Sequence, residues 1–238
     1  ANPTLSAISA AKANVKIARI EGGMRSFDWR MPEEKNRVMV DHISDYLYVY
    51  THRYKEHVLL EGIPEHKIFV VGNPIVDIVN LYRHRAANES RILEDLGVTK
   101  NQYILVTIHR QENVDDPETL KGILKALGLA ANQLQMPVYF PMSYRTQRRI
   151  EEFGLKLSEK IIRSEPIGFI DFLKAEQDAA LIISDSGTVQ EEASILQVPC
   201  VIARRSTERP ETIEVGGCIL AGTQPDHIVA AAETLLKR

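Results

Sequence analysis

The chain has 238 residues, of which 44% are hydrophobic and 26% charged, and its formal net charge is −3. This composition is typical of a globular protein with one large domain, or one domain and part of another. The apolar runs are too short to span a bilayer and no secretory signal pattern opens the sequence, so no membrane association is expected. Charges of both signs are interspersed without a basic block, so nucleic acid is not expected as a partner.

The two cysteines, Cys200 and Cys218, both lie within apolar runs. We expect them to be buried free thiols in strands. Two cysteines do not supply the spacing of a zinc site, and no metal is expected. Sparse cysteine usage favours a cytoplasmic location.

Short apolar runs alternate along the chain with segments of helical spacing. The runs predicted as strands are residues 15–20, 46–50, 68–71, 103–108, 138–140, 179–183, 200–203 and 218–221. Amphipathic spacing predicts helices over 117–134 and 226–236, and Thr4 is a candidate cap for a helix near the start. The alternation predicts an α/β fold with parallel sheets and helices on both faces. Ligands of such sheets bind at the carboxyl ends of the strands.

A Gly-Asn-Pro turn at residues 72–74 and a polar, weakly apolar stretch at residues 83–91 indicate a domain junction near residues 78–88. We therefore predict a first domain over 1–82 and a second over 83–238. The first part would hold only about three strands, which is few for a doubly wound sheet.

The first candidate site follows the apolar run at 15–20. Glu21 lies at the end of this run, followed by two glycines that would let a ligand approach the backbone, and Arg25 follows them. Residues 32–37, Pro-Glu-Glu-Lys-Asn-Arg, add Glu33 and Arg37. Each acidic group has an ordinary interpretation as a turn residue or helix start. Gathered around one loop, they could transfer protons while the arginines bind phosphate.

Two later strand ends carry further candidates. Residues 107–113, Thr-Ile-His-Arg-Gln-Glu-Asn, place His109 and Arg110 where acid–base work or phosphate binding is possible, although a structural histidine is an equal alternative. Residues 184–193, Ser-Asp-Ser-Gly-Thr-Val-Gln-Glu-Glu-Ala, form a strand-to-helix turn suited to an anion, or an ordinary capped helix. It matches neither a Walker loop nor a dinucleotide fingerprint. Residues 204–211 add three arginines, which are either solvated or part of a shared anion site.

Five of these segments, taken in order and spacing, resemble the non-hydrolysing UDP-N-acetylglucosamine 2-epimerases. They are Ile-Glu-Gly-Gly-Met-Arg, Pro-Glu-Glu-Lys-Asn-Arg, His-Arg-Gln-Glu-Asn, Ser-Asp-Ser-Gly-Thr-Val-Gln-Glu-Glu-Ala and Thr-Glu-Arg-Pro-Glu. The resemblance implies two Rossmann-like domains of the GT-B type, a homodimer, a UDP-sugar substrate and no cofactor. The implied reaction is elimination of UDP to a 2-acetamidoglucal, followed by re-addition with the proton delivered to the opposite face of C2.

The resemblance also implies a role for individual residues. Glu21 and Glu33 would be the acid–base pair, and His109 a catalytic or phosphate-side group. The implied substrate-binding residues are Arg25, Arg37, Arg110, Phe172, Ser186, Gly187, Thr188, Glu192 and Arg209. Among them, Phe172 would pack near uracil, Ser186 and Gly187 would hold the diphosphate, and Glu192 would bind the ribose.

Three departures from the family pattern affect these expectations. Family chains are longer at the amino end, where they carry a catalytic aspartate, so we expect an incomplete first domain and little turnover by residues 1–238 alone. The family's closing helix is not found after Arg238, and Ser143 stands where many relatives have a histidine that contributes to nucleotide-sugar binding or regulation.

Three alternatives remain open. The loop at 25–34 also resembles a sister group acting on UDP-diacetamido-glucuronic acid, where Arg30 could meet a substrate carboxylate. A GT-B glycosyltransferase would share the nucleotide site but would not need the acidic pair. A non-catalytic nucleotide-binding fragment is the third possibility.

Overall fold

The computed structural model describes residues 2–237, which fold into two compact units. The first comprises the chain up to Pro74 together with Ser206–Arg209, and the second comprises Ile75–Arg205 and the chain from Pro210 onward. Each unit is a parallel sheet with helices, which confirms the predicted α/β class. No helix within residues 2–237 combines the length and the apolar character needed to cross a membrane.

The first unit contains a three-stranded parallel sheet of order β1-β2-β3. A small apolar cluster around Leu47, Val49 and Tyr54 fills the space between the sheet and its helices. The elements are α1 (Asn2–Lys12), β1 (Ala18–Gly22), α2 (Pro32–Ile43), β2 (Tyr46–Val49), α3 (His52–Leu60), a 3₁₀ turn (Glu65–Lys67) and β3 (Ile68–Val70).

The second unit contains a six-stranded parallel sheet of order β6-β5-β4-β7-β8-β9. Its strands are β4 (Ile104–Thr107), β5 (Val138–Pro141), β6 (Ile161–Ser164), β7 (Leu181–Ser184), β8 (Cys200–Ile202) and β9 (Cys218–Leu220). Its helices are α4 (Pro74–Glu89), α5 (Ile92–Leu96), α6 (Gln111–Val114), α7 (Pro117–Gln133), α8 (Tyr144–Glu152), α9 (Phe169–Gln177), α10 (Gly187–Leu196), α11 (Pro210–Glu214) and α12 (Pro225–Leu236).

Local chemistry explains why the best-predicted elements form. The Asp116 side chain accepts a hydrogen bond of 2.8 Å from the Thr119 backbone N–H and so caps α7, with Pro117 in the first helical position. The apolar stripe of α7 is buried, as its spacing predicted. Strands β4, β5, β7 and β8 are buried along their whole length, which is why their sequences do not alternate.

The order of the sheet in the second unit reverses between β4 and β7. From β4 the chain proceeds through β5 to β6 on one side, and from β7 through β8 to β9 on the other. The loops after β4 and β7 therefore diverge and leave a crevice at the carboxyl ends of the strands, where ligands of doubly wound sheets bind. The segments that follow these strands are the predicted ones at 107–113 and 184–193.

The junction between the units differs from the predicted boundary at 82/83. Helix α4 belongs to the second unit, because Val79 and Ala86 pack against Leu173 of α9. The division falls after Pro74 instead. The weakly apolar stretch that suggested a boundary at 82/83 belongs largely to the polar surface of α4 and is not a linker.

Three local expectations also need comment. Strand β6 was not predicted, because it lies at the edge of its sheet and only two of its four residues are aliphatic. Thr4 is not a cap, since it lies inside α1 and is buried. Cys200 and Cys218 are buried free thiols in adjacent strands, as expected.

Candidate functional site

The predicted site residues form two groups, one in each unit. In the first unit, Glu21 stands at the end of β1 in the left-handed region, with φ of 65°. The register between β1 and β2 shifts between Ile20 and Gly22, so Glu21 is the extra residue of a bulge. A non-glycine residue held in this region is strained, and such strain is concentrated at functional positions. The bulge redirects the Glu21 side chain, which remains 44% exposed.

The neighbouring carboxylates Glu33 and Glu34, at the start of α2, have different environments. Glu34 is buried and accepts hydrogen bonds from the backbone N–H groups of Ser26 and Phe27, at 3.0 and 2.9 Å. It therefore holds the preceding loop in place. Glu33 is exposed and makes no hydrogen bond or ion pair within residues 2–237. Of the two, only Glu33 is available for proton transfer.

Arg25 lies in the interior of the first unit with its side chain 1% exposed. Its guanidinium donates to Asp41 at 2.8 Å and, through two nitrogens, to Glu61 at 2.8 and 2.7 Å. Burial acts to lower the pKa of Arg25, but these carboxylates outweigh it and raise the pKa. The geometry supports a role for Arg25 in fixing the loop after β1, and its predicted contact with substrate stays a prediction.

Arg37 and Arg209 meet at a buried carboxylate that the sequence interpretation left unassigned. Glu208 is 1% exposed and accepts from both arginines, at 3.1 Å from Arg37 Nη2. Nη2 of Arg209 lies 3.9 Å from Oε1 of Glu21. Glu208 thus places a guanidinium beside the strained carboxylate. The signal was its position directly before Arg209 in the motif Thr-Glu-Arg-Pro-Glu.

Gly23 is required by packing within the protein, and not by the approach of a ligand as its sequence context suggested. Its φ is 75°, and a Cβ placed there would lie 2.2 Å from the carbonyl oxygen of Tyr54 on α3. Its N–H donates to the buried Asp41 at 3.0 Å. The glycine lets β1 and α3 approach closely and so fixes where the bulge at Glu21 forms.

In the second unit, the buried Asp185 joins the two loops of the crevice. Its carboxylate accepts from the backbone N–H groups of His109 and Arg110, at 3.0 and 2.9 Å, and from the Asn113 side chain at 3.0 Å. Burial raises the pKa of Asp185, and the charge of His109 and these hydrogen bonds oppose the rise. Sequence reasoning missed Asp185 and Asn113 as organising residues, although both lie in the recognised motifs.

His109 has its side chain 48% exposed, and its Nδ1 lies 3.6 Å from Asp185 Oδ1. The adjacent Arg110 is turned back, and its Nε donates to the Asp185 backbone carbonyl at 2.9 Å. A half-exposed imidazole beside a buried carboxylate can act as an acid or a base, or bind an anion. The interpretation of His109 as a purely structural residue is less favoured, because its ring is not enclosed.

A pocket of about 280 Å³ opens at the carboxyl ends of β4 and β5. Its walls are largely apolar, with His109 and Phe172 on the lining together with Ser143. Ser143 caps α8 by accepting from the Thr146 N–H at 3.2 Å. The lining residues are Thr107, Ile108, His109, Pro141, Ser143, Pro166, Ile167, Phe172 and Val189. An apolar slot with few polar groups suits a flat heterocycle such as a nucleobase.

Helix α10 begins beside this pocket. Ser186 caps it by accepting from the Val189 N–H at 3.5 Å, Gly187 is buried and Thr188 is exposed. One turn further in, Glu192 is 5% exposed. Unpaired N–H groups at such a helix start are suited to phosphate. Within residues 2–237, no group of three or more His, Cys, Asp or Glu residues is arranged to hold a metal ion.

Comparison with known proteins identifies the family. A family profile described as UDP-N-acetylglucosamine 2-epimerase matches residues 2–238. The chain belongs to this family. It is 44% identical to the UDP-N-acetylglucosamine 2-epimerase of Methanocaldococcus jannaschii, over 98% of this chain and 65% of that protein. The chain thus spans about two thirds of the length of this epimerase.

A solved structure and a second curated relative extend the comparison. The crystal structure of the Methanocaldococcus jannaschii enzyme in complex with UDP-GlcNAc and UDP superposes with a TM-score of 0.92 at 43% identity, over 98% of this chain and 65% of that one. This likeness confirms the predicted fold of Rossmann-like units. A UDP-2,3-diacetamido-2,3-dideoxy-D-glucuronate 2-epimerase of Pseudomonas aeruginosa is 38% identical, over 99% of this chain and 65% of that protein.

Proposed function

We propose that the protein is a UDP-N-acetylglucosamine 2-epimerase, which interconverts UDP-GlcNAc and UDP-ManNAc. Family membership and the 44% identity to an epimerase of that name support the proposal. Each unit supplies groups that such a reaction needs: the first has carboxylates that could exchange a proton at C2, and the second has N–H groups that could stabilise a departing diphosphate.

In the proposed reaction, one carboxylate removes the C2 proton while the bond from C1 to the UDP oxygen breaks. The products of this step are UDP and a 2-acetamidoglucal. UDP then adds back to C1, and a second acid delivers a proton to the opposite face of C2. Glu21 and Glu33 are the proposed proton-transfer groups, and His109 with Arg209 the proposed groups on the phosphate side.

The conformation of Glu21 is the observation that carries the proposal. A glutamate is held left-handed at a bulge, with φ of 65°, when β1 could end in an ordinary turn. Gly23, packed against the Tyr54 carbonyl, and the buried Arg25 hold the backbone on either side of this strained position. A glycosyltransferase would use the nucleotide pocket of the second unit without needing this carboxylate.

The UDP part of the substrate is proposed to occupy the second unit. The apolar pocket with Phe172 would take uracil, and Glu192 would accept hydrogen bonds from the ribose hydroxyls. Ser186, Gly187 and Thr188 stand at the start of α10, where a diphosphate would be stabilised. A homodimer in the cytoplasm completes the proposal.

The diacetamido-glucuronate is the second candidate substrate, and Arg30 bears on the choice. Arg30 donates through Nε and Nη2 to Asp28, both at 2.8 Å, and the Ser206 hydroxyl donates to the same carboxylate at 3.2 Å. The positive charge of Arg30, which a uronate carboxylate would need as its partner, is therefore already paired with Asp28. The observation favours the substrate whose sugar is uncharged, UDP-N-acetylglucosamine.

Proton exchange at C2 tests the proposal. UDP-N-acetylglucosamine is incubated with the protein in deuterium oxide, and C2 is followed by proton NMR. We expect deuterium at C2 and formation of the manno epimer, with little turnover by the 238-residue chain and more by a longer natural form measured beside it. If both forms bind UDP but exchange C2 only of the diacetamido-glucuronate, that sugar nucleotide is the substrate. Glycosyl transfer without exchange would overturn the epimerase proposal.

A further inference from the structure

Glu176 is a buried carboxyl group with no basic partner. It lies on α9 and is 0% exposed, and neither of its oxygens accepts a hydrogen bond from an N–H or O–H donor within residues 2–237. The nearby Lys174 pairs instead with Asp178, at 2.7 Å. An ionised carboxylate buried in this way would be strongly destabilising.

The neighbour that Glu176 does contact is another carboxyl group. Its side chain is in hydrogen-bonding contact with Glu192 on the adjacent helix α10, and Glu192 is only 5% exposed. Glu192 makes no other hydrogen bond or ion pair among the described residues. Two carboxyl groups in contact cannot both be ionised in a buried site, so the pair shares a proton.

We propose that Glu176 is a positioning residue that holds this proton and donates it in a hydrogen bond to Glu192, which orients the Glu192 carboxylate toward the ribose hydroxyls of UDP. The inference rests on the proposed function, in which Glu192 binds the ribose. Glu176 itself would contact no substrate, but it would set the charge and orientation of Glu192, which does.

The environments of the two groups agree with this assignment. Burial, then the charge of Glu192, raises the pKa of Glu176 well above its usual range. Burial also raises the pKa of Glu192, but the hydrogen bond from Glu176 opposes that rise. Glu176 is the more deeply buried of the two, at 0% exposed against 5%, so we assign the shared proton to Glu176 and the negative charge to Glu192.

The groups around Glu176 do not supply a competing proton donor. The Tyr103 hydroxyl donates a hydrogen bond to the Ala175 carbonyl at 2.6 Å. A hydrogen bond with Cys218, and then burial, raise the pKa of the Cys200 thiol well above its usual value. Asp178 is paired with Lys100 and Lys174. The charged side chains of α4 and α5, which pack on the other side of α9, are exposed.

Two variants of Glu176 separate positioning from packing. E176Q keeps the size and a hydrogen-bond donor, whereas E176L keeps the bulk and removes the donor. The control is E159Q, an exposed glutamate of the same unit. UDP and 2′-deoxy-UDP affinities are measured by calorimetry from about pH 5 to about pH 8, a range across which a raised carboxyl pKa is visible. Because UDP itself titrates, each variant is compared with the unaltered chain at the same pH.

We expect E176L to lose roughly tenfold in UDP affinity, since a hydrogen bond to a charged group is removed, and to lose most of the preference for UDP over the deoxy compound. E176Q should retain both, and its affinity relative to the unaltered chain should rise with pH as Glu176 loses its proton. Infrared difference spectra should show a protonated carboxylic acid at neutral pH that is lost in E176Q and kept in E159Q.

The outcomes distinguish the two proposals. If the unaltered chain prefers UDP over 2′-deoxy-UDP and E176L keeps that preference, the positioning role is wrong and the ribose assignment stands. If E176L misfolds, two other results would still overturn the positioning role of Glu176. One is the absence of the infrared band in the unaltered chain. The other is a ratio of UDP affinities, E176Q over the unaltered chain, that does not change with pH. If the unaltered chain binds no UDP, the proposed function of this unit fails and the ribose role of the pair fails with it.

Discussion

At the scale of single residues, the site depends on carboxylates whose neighbours give them different tasks. Glu34 and Glu208 are buried and hold loops and arginines, whereas Glu33 is exposed and Glu21 is redirected by a bulge. The residue type alone does not distinguish these tasks. Burial and hydrogen bonding decide which carboxylate is available to exchange a proton.

Replacing Glu21 with glutamine should abolish C2 exchange while leaving UDP binding intact. The substitution preserves size and the left-handed backbone but removes the ionisable group, so a loss of at least about 100-fold in exchange rate is expected. Exchange is measured by NMR and UDP binding by calorimetry. The matched control is E56Q, an exposed glutamate on α3, which should leave both unchanged. Exchange at the unaltered rate in E21Q would remove Glu21 from the mechanism.

A second residue-scale prediction concerns the packing that maintains the bulge. G23A should lower the free energy of unfolding by more than about 3 kcal/mol, because backbone strain and a steric clash add. G62A provides the control, since Gly62 has φ of 85° but no atom within 4 Å of an added Cβ, and only the left-handed backbone cost of about 1 kcal/mol applies. Urea denaturation measures both. Equal losses would show that the Tyr54 carbonyl is not the limiting contact.

Glu176 also predicts how stability varies with pH. Its pKa in the folded state is raised above the usual 4.5, so the folded state binds the proton more tightly than the unfolded state. Its contribution to stability is complete below about pH 4.5 and is lost as the pH rises through the raised value. Denaturation midpoints of the unaltered chain should therefore fall more steeply toward alkaline pH than those of E176Q. Parallel pH profiles would contradict a protonated Glu176.

At the scale of elements, the spacing of apolar residues predicted the helices and strands that are buried in a regular pattern. The stripe of α7 and the unbroken apolar strands β4, β5 and β7 were visible in the sequence because each is buried by a regular geometry. The edge strand β6 was not visible, since only one sheet neighbour and few apolar residues mark it. The left-handed Glu21 could not be predicted either, because it depends on Gly23 meeting Tyr54 on a helix that follows much later in the chain.

Helix α4 gives an element-scale prediction. Leu173, fully buried on α9, packs against Val79 and Ala86 of α4. L173A should cost about 2–5 kcal/mol of unfolding free energy and should lower amide exchange protection along α4. V76A, at an exposed position of α4, is the control and should leave protection unchanged. Unaltered α4 protection in L173A would mean that α4 does not depend on this contact.

At the scale of the whole molecule, the two units differ in how much apolar surface they bury. The second has two large clusters on the faces of a six-stranded sheet, and the first has one small cluster beneath three strands. Apolar residues of the first sheet, including Ile20, Tyr46 and Phe69, are exposed. The alternation of apolar runs with helical segments predicted the α/β class but not this asymmetry, since the exposed residues are as apolar as core residues.

The asymmetry predicts that the two units do not unfold together. Amides of β1, β2 and β3 should lose exchange protection at lower urea concentration than those of β4 and β7, because fewer buried apolar contacts hold them. Hydrogen exchange with mass spectrometry at stepped urea concentrations provides the measurement. Coincident loss of protection in both units would show a single cooperative transition.

The loop between Glu21 and Glu33 contains the chain's one tryptophan, Trp29, whose side chain is 60% exposed. Its indole emission therefore comes from the part of the molecule where C2 chemistry is proposed, without overlap from a second indole. A stopped-flow titration excited at the indole band would report the order in which this loop and a bound sugar nucleotide respond to each other. The protein thus contains an intrinsic optical reporter beside its proposed reaction centre, and no dye needs to be attached.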